Sequence, residues 1–210
     1  LYGTLKVTDR EVKYEITVEA NSASEKYDGT EKSVESFKTL TFDIDGSTYT
    51  VEGLTAEATG TDAGTYPNKV TGTAVVKDAD GNDVTKQFIV KTTDGKLEIS
   101  KRSVTLTSAS AEKEYDGTPL TKNAQTDITV GGDGFAKGEG ASYDITGSQT
   151  LVGSSENKFT YTLNDGTKAD NYTITTSNGT LTVKTCDAKY KIEVEANSGE
   201  FQYDGEEKTV

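Results

Sequence analysis

The triplet Tyr-Asp-Gly occurs three times at one spacing: Tyr27-Asp28-Gly29, Tyr115-Asp116-Gly117 and Tyr203-Asp204-Gly205, each 88 residues after the last. A fixed period of this length marks an array of like units, each with its own core. Within the triplet, Asp-Gly suits a tight turn because both residues tolerate φ > 0. The tyrosine packs its ring beside that turn and keeps its hydroxyl at the rim. Tyr and Asp also suit sugar recognition. Recurrence in every unit favours the structural role, because a packing device must recur wherever the fold recurs.

Alternating strands bracket each triplet. Tyr14-Glu-Ile-Thr-Val-Glu-Ala20 places Tyr14, Ile16, Val18 and Ala20 on one face. Tyr190-Lys-Ile-Glu-Val-Glu-Ala196 repeats it two periods later, and Val104-Thr-Leu-Thr107 holds the same place in the middle. These are opening strands. Leu1-Tyr-Gly-Thr-Leu-Lys-Val7, Asp94-Gly-Lys-Leu-Glu-Ile99 and Asn178-Gly-Thr-Leu-Thr-Val183 are closing strands, each led by a Gly read as part of a tight turn. The boundaries follow: 1–8 closes a preceding unit, 9–100 is unit one, 101–184 is unit two, and 185–210 opens a third. The linkers Thr8–Val12 and Thr185–Ala188 are longer than the single Ser100, so units one and three share a type and unit two is another. The chain opens at Leu1 and stops soon after the third triplet, which reads as a piece of a longer protein.

Inside the units, apolar alternation recurs at 39–44, 49–51, 68–76, 88–90, 157–163 and 170–174, with turns at Asp45-Gly46, Asp78–Asp83 and Asn164–Gly166. Residues 130–140 are Gly-rich and diverge between units, as in a loop or bulged edge strand. About six or seven short strands per unit, with no helical stripe over ten residues, predict an all-β chain of tandem antiparallel β-sandwich-like domains arranged end to end. The alternative is β-grasp-like units with one short helix over Glu31–Phe37.

Composition narrows function mainly by exclusion. A net charge of −13 repels nucleic acid and anionic lipid. No apolar run approaches the ~18 residues that span a bilayer, and no signal peptide is present. No His is present to serve as general base or metal ligand, and the single Cys186 reads as an incidental thiol. Neither cofactor nor catalysis is expected.

Four features have the residue types of a site. Asp78, Asp80, Asn82 and Asp83 form an acidic turn with oxygen donors for Ca²⁺, but its Gly is misplaced for an EF-hand and unit two keeps only Asn164 and Asp165. An Asx turn without metal is the preferred reading. Asp43 and Asp45 read as solvated strand and turn positions rather than a glycosidase pair. The sequons at Asn171 and Asn178 count only in a source that glycosylates asparagine, and carry no weight if the source is bacterial. The recurring Asn68-Lys69 and Asn157-Lys158 would suit a Lys–Asn isopeptide cross-link without establishing one.

Tyr-Asp-Gly early, Gly64-Thr65-Tyr66 in the middle, Asp170-Asn-Tyr-Thr-Ile174 late and Asn178-Gly-Thr-Leu-Thr-Val183 at the close resemble the MBG/YDG-type repeats of large bacterial surface proteins and adhesins. Unit one departs from the pattern where Lys86-Gln-Phe88 replaces Asp-Asn-Tyr. The resemblance implies an extracellular, wall-attached, multi-repeat protein at the bacterial cell surface, with no catalytic residues. The expected function is a monomeric stalk spacer whose partners are neighbouring repeats of the same chain. A module for host glycan, mucin or protein is the alternative, supported by the divergence at 130–140.

Overall fold

A computed structural model of the chain describes residues 4, 6, 11–187 and 192–210. Every regular element among them is a β-strand or a single turn of 3-10 helix, as an all-β chain requires. Unit one contains β1 (Tyr14–Glu19), β2 (Ala23–Lys26), β3 (Lys32–Glu35), β4 (Thr41–Ile44), β5 (Ser47–Thr55), β6 (Glu57–Gly60), β7 (Gly64–Asn68), β8 (Thr71–Lys77), β9 (Phe88–Thr93) and β10 (Gly95–Ser100). Unit two contains β11 (Arg102–Ser108), β12 (Ala111–Glu114), β13 (Ile128–Gly132), β14 (Ala141–Ile145), β15 (Gly153–Asn157), β16 (Phe159–Leu163), β17 (Tyr172–Ser177) and β18 (Gly179–Lys184).

Each unit is built on a parallel spine. β1 runs beside β9 from Tyr14 on Phe88, and β2 runs beside β10 as far as Lys26 on Ser100, with one constant offset in sequence throughout. β11 with β17 and β12 with β18 repeat this, again with a single offset from Arg102 on Tyr172 to Glu114 on Lys184. The expectation of antiparallel pairing therefore fails along the spine, while the remaining ladders are antiparallel. The reason is directional. The chain enters a unit at Tyr14 and leaves it at Ser100, at opposite ends of two strands that point the same way. We call these ends the start pole and the end pole.

Sequence alternation explains the strands that carry the spine. Ile16 and Val18 of β1, Leu97 and Ile99 of β10, and Val104 and Leu106 of β11 are all buried at period two. Burial of each such side chain contributes about 1.5–3 kcal/mol. One apolar cluster lies within unit one (Ile16, Val18, Val51, Val76, Phe88). The other crosses between units, joining Tyr27, Val34, Leu97 and Ile99 to Val104, Leu106, Ala136 and Tyr172.

Three expectations are corrected. Glu31–Phe37 holds strand β3 rather than a helical turn, because Val34 alone turns inward and Lys32 to Glu35 pair with Gly60 to Glu57. Ser36, at φ 69°, ends that strand. Gly95 and Gly179 are strand residues, not φ > 0 turn residues: their φ values are not positive, whereas Gly29 and Gly117 stand at 83° and 80°. They are glycine because backbone lies against them. A Cβ on Gly95 would fall 2.0 Å from the Asn21 carbonyl oxygen, and one on Gly179 2.4 Å from that of Ser108.

The third correction concerns the last segment. Residues 192–210 form no strand, and Ile192 and Val194 are exposed although their counterparts Ile16 and Val18 are buried. In unit one that strand is paired with β9, most of a unit downstream, and the 210 residues hold no such counterpart for position 192. The closing strand expected at 1–7, apart from Thr4 and Lys6, and the first two residues of the strand expected at 190–196 lie outside the described residues.

Candidate functional site: the joint between units

The three triplets share a local turn but differ in surroundings. Asp28 Oδ1 accepts the Thr30 N–H at 2.9 Å and its hydroxyl at 2.6 Å, and Lys32 Nζ lies 2.6 Å from Oδ2. Asp116 accepts the same pair from Thr118, with Lys113 Nζ at 2.7 Å. Asp204 accepts the Glu206 N–H and the Lys208 ammonium. This is an Asx turn, with Gly at positive φ completing it. The lysine beside each carboxylate is the first cause holding Asp28, Asp116 and Asp204 below the usual carboxylate range. The tyrosines part company: Tyr27 is 4% exposed, Tyr115 is half-buried and Tyr203 is exposed.

Tyr27 is buried by unit two, not by its own unit alone. Its ring meets Tyr172 edge-on, with centroids 5.7 Å apart. Its hydroxyl donates to Glu139, whose other oxygen accepts the Tyr172 hydroxyl at 2.8 Å. The Ala136 N–H in turn donates to the Tyr172 oxygen at 2.9 Å. Ala136 and Glu139 belong to the Gly-rich stretch 130–140, so the diverged loop is the seat for Tyr27. Arg102 stiffens that loop by donating to the Gly134 and Asp133 carbonyls, and its Nη1 lies 3.3 Å from the Tyr27 carbonyl.

Two polar clamps flank the seat. Lys26 Nζ pairs with Asp133 at 2.6 Å. Asp62 accepts from Asn171 Nδ2 at 2.9 Å and from Lys168 Nζ at 2.7 Å, while Asn171 Oδ1 accepts the Ala63 N–H at 2.7 Å. Asn171 is fully buried there, which closes its sequon in the folded chain. Both ion pairs are open to solvent, which screens them, so each contributes little. The buried hydrogen bonds of Asn171 contribute more, because breaking them strands buried polar atoms.

The joint carries its own pH dependence. Burial, then the bond to Glu139, pushes the Tyr27 hydroxyl up to about 12 from 10.0. Because the folded value is the higher one, this contribution is complete below pH 10 and is lost as pH rises to about 12. Lys26, with help from the Ser103 N–H, brings Asp133 down to about 2 from 3.8. That contribution is complete above pH 3.8 and is lost as pH falls to about 2. Urea midpoints are therefore expected to fall in both windows. A Tyr27→Phe chain is expected to lose the Tyr27 share of the alkaline fall while keeping the acid one; an unchanged alkaline profile would refute the assignment.

The other candidates are not drawn into a site. Asp78 Oδ1 accepts the Asp80 and Asn82 N–H groups and Oδ2 the Asn82 amide, so its oxygens serve the turn. Asp83 accepts the Thr85 N–H. Among the described residues no three acidic, His or Cys side chains gather as metal ligands. Asp43 and Asp45 accept the Thr48 and Tyr14 hydroxyls. Asn68 and Asn157 are buried and donate to the Asn21 and Ala109 carbonyls, while Lys69 and Lys158 point outward. Each lysine lies just past the last residue of its strand, β7 or β15, and is exposed where its asparagine is buried. Among the described residues no helix is long and apolar enough to cross a membrane.

Sequence reading missed Asp62, Asp133, Glu139 and Asn171 as partners across the joint. One signal did exist: the late motif Asp170-Asn171-Tyr172 of unit two against Lys86-Gln87-Phe88 of unit one. No family model, curated protein or solved structure matches the chain.

Proposed function

We propose that the chain is a run of spacer repeats from the stalk of a bacterial surface adhesin, holding a distal binding region away from the cell. The placement at a cell surface rests on the resemblance of the repeat motifs. The mechanical part of the reading rests on one observation, the parallel spine. Entry and exit at opposite poles mean that tandem copies add length. Thirteen residues of spine at roughly 3.3 Å each give roughly 40 Å per unit. The seated Tyr27 and the clamps at Asp62 and Asp133 favour a fixed angle between units over a swivel.

The same geometry suits load. Tension on the two ends of a unit pulls the paired spine strands along their length, in opposite directions. Their hydrogen bonds are then strained together rather than opened one at a time. The reading calls for no catalytic group. The Gly-rich loop, which had favoured a glycan-binding module, is occupied in seating Tyr27.

Small-angle scattering tests the spacer. Two units end to end, treated as a rod roughly 80 Å long, have a radius of gyration of about 24 Å. A compact chain of this length has about 17 Å. A value near the compact figure would sink the reading.

A further inference from the structure

The joint just described uses the end pole of unit one and the start pole of unit two. The chain also carries the complementary surfaces, the end pole of unit two and the start pole of unit one. Strand register identifies their equivalent positions. Gly64 faces Ile99 and Gly153 faces Val183, so Asp62-Ala63 correspond to Leu151-Val152. Phe88 faces Tyr14 and Tyr172 faces Arg102, so Tyr14 corresponds to Arg102 and Phe88 to Tyr172. The 3-10 turns before those strands, Thr85–Gln87 and Ala169–Asn171, align Val84 with Lys168 and Gln87 with Asn171.

Both sides of the joint change character together. At the end pole, Asp62 becomes Leu151, and Leu151 and Val152 are 69% and 52% exposed, at the same end of the sheet as the half-buried Tyr115. At the start pole, Lys168 becomes Val84 and Arg102 becomes Tyr14. Tyr14 and Tyr49 flank Phe88 there, with centroids 5.6 and 4.9 Å away. A depression lined by Thr73, Val75, Val84 and Gln87 opens at that pole. The Asp62–Lys168 ion pair is thus replaced, position for position, by Leu151 and Val84. Two adjacent exposed aliphatic side chains thus stand at a terminal turn of unit two, at the positions where unit one makes its joint.

We propose that the end pole of unit two is a docking face for a further unit of the unit-one type, seated by apolar contact where the observed joint uses charge. The occupant is specified by sequence. Residues 190–210 follow residues 14–34 position by position, with Tyr, Ile, Val, Glu, Ala, Asn and Ser of the strand and Tyr-Asp-Gly of the turn repeated. Alternation is then encoded at the joints. A unit of type one presents Asp62 to Lys168 and refuses Val84; a unit of type two presents Leu151 to Val84 and refuses Lys168. Like-to-like joints would desolvate an unpaired charge against an aliphatic group. Five residues separate Lys184 from Tyr190, where Lys101 alone separates Ser100 from Arg102, so the second joint depends on its faces more than on a short linker.

The proposal rests on the spacer reading and is tested by completing the third unit. A copy of residues 35–100 is joined after Val210, and amide hydrogen exchange is followed at 115–118 and 151–153. Exchange there is expected to slow at least tenfold relative to the 210-residue chain. Leu151→Asp, at an exposed position that leaves unit two's own packing intact, is expected to return it to the unextended rate. Val84 also packs half-buried on its own unit's apolar cluster, so Val84→Lys is made in the added copy only where spine protection shows that copy still folded; combined with Leu151→Asp it recreates the Asp62–Lys168 pair and is expected to restore the slowing. No slowing in the extended chain, or slowing indifferent to Leu151→Asp, overturns the proposal. An added copy that stays unprotected along its own spine overturns it too. A freely swivelling third unit on an elongated two-unit rod would remove this joint and leave the spacer reading standing, whereas a compact two-unit envelope would remove the spacer itself.

Discussion

Tyr27→Ala is expected to destabilise the chain by about 3–5 kcal/mol, the usual cost of truncating a buried aromatic side chain, while Tyr115→Ala costs about 1 kcal/mol or less. The two residues occupy the same place in the same motif, so the contrast isolates the joint. Tyr27 stands to lose its edge-on contact with Tyr172 and the bond that shares Glu139 between two hydroxyls. Removing it also leaves Glu139 with one donor fewer at the seat. Tyr115 has its backbone N–H on the Lys184 carbonyl, which alanine keeps, and its ring is only half-buried among the described residues. Urea unfolding followed separately in each unit adds a second readout. Coupling through the joint makes the units unfold together in the unaltered chain, and Tyr27→Ala is expected to split that transition in two. Equal effects from the two substitutions would return Tyr-Asp-Gly to a purely internal role.

The contrast also shows what could be read from the sequence. The period and the all-β character rest on local signals, namely alternation in β1, β10 and β11 and turn chemistry at Asp45-Gly46 and Asp28-Gly29. Those signals act over a few residues, so a single chain displays them. The extra strands escaped because β2 (ASEK), β12 (AEKE) and β15 (GSSEN) have no apolar alternation and are held by pairing to β10 or β18. Parallel pairing escaped for a related reason: a strand's own pattern does not record the direction of a partner most of a unit away. The joint was the least legible part. Tyr27 and Glu139 are separated by 112 positions, and the loop carrying Glu139 looked merely diverged. Its use appears only when the two late motifs, Asp-Asn-Tyr and Lys-Gln-Phe, are set against what faces them.

Gly95→Ala is expected to cost about 3 kcal/mol or more, at the top of the range for overpacking, because the atoms in its way are backbone. The spine changes sheets at 20–22, between β1 and β2, and Gly95 lies directly opposite. A methyl there would sit 2.0 Å from the Asn21 oxygen and 2.8 Å from that of Ala20. The Asn21 carbonyl has little freedom to retreat, since it also accepts the buried Asn68 amide at 2.9 Å. Unit two has the same lock, with Gly179 against the Ser108 and Ala109 carbonyls and Asn157 donating to Ala109. Gly117→Ala is the control. Its φ of 80° is strained for alanine, at a cost of about 1–2 kcal/mol, but nothing lies within 4 Å of the added methyl. Urea midpoints rank the two substitutions, and amide exchange locates the damage: Gly95→Ala is expected to speed exchange along both halves of the unit-one spine, Gly117→Ala only around residues 115–118. Equal or reversed ranking would mean that the spine strands can part at this crossing without loss. A unit whose strands part there has no continuous path for tension between its poles.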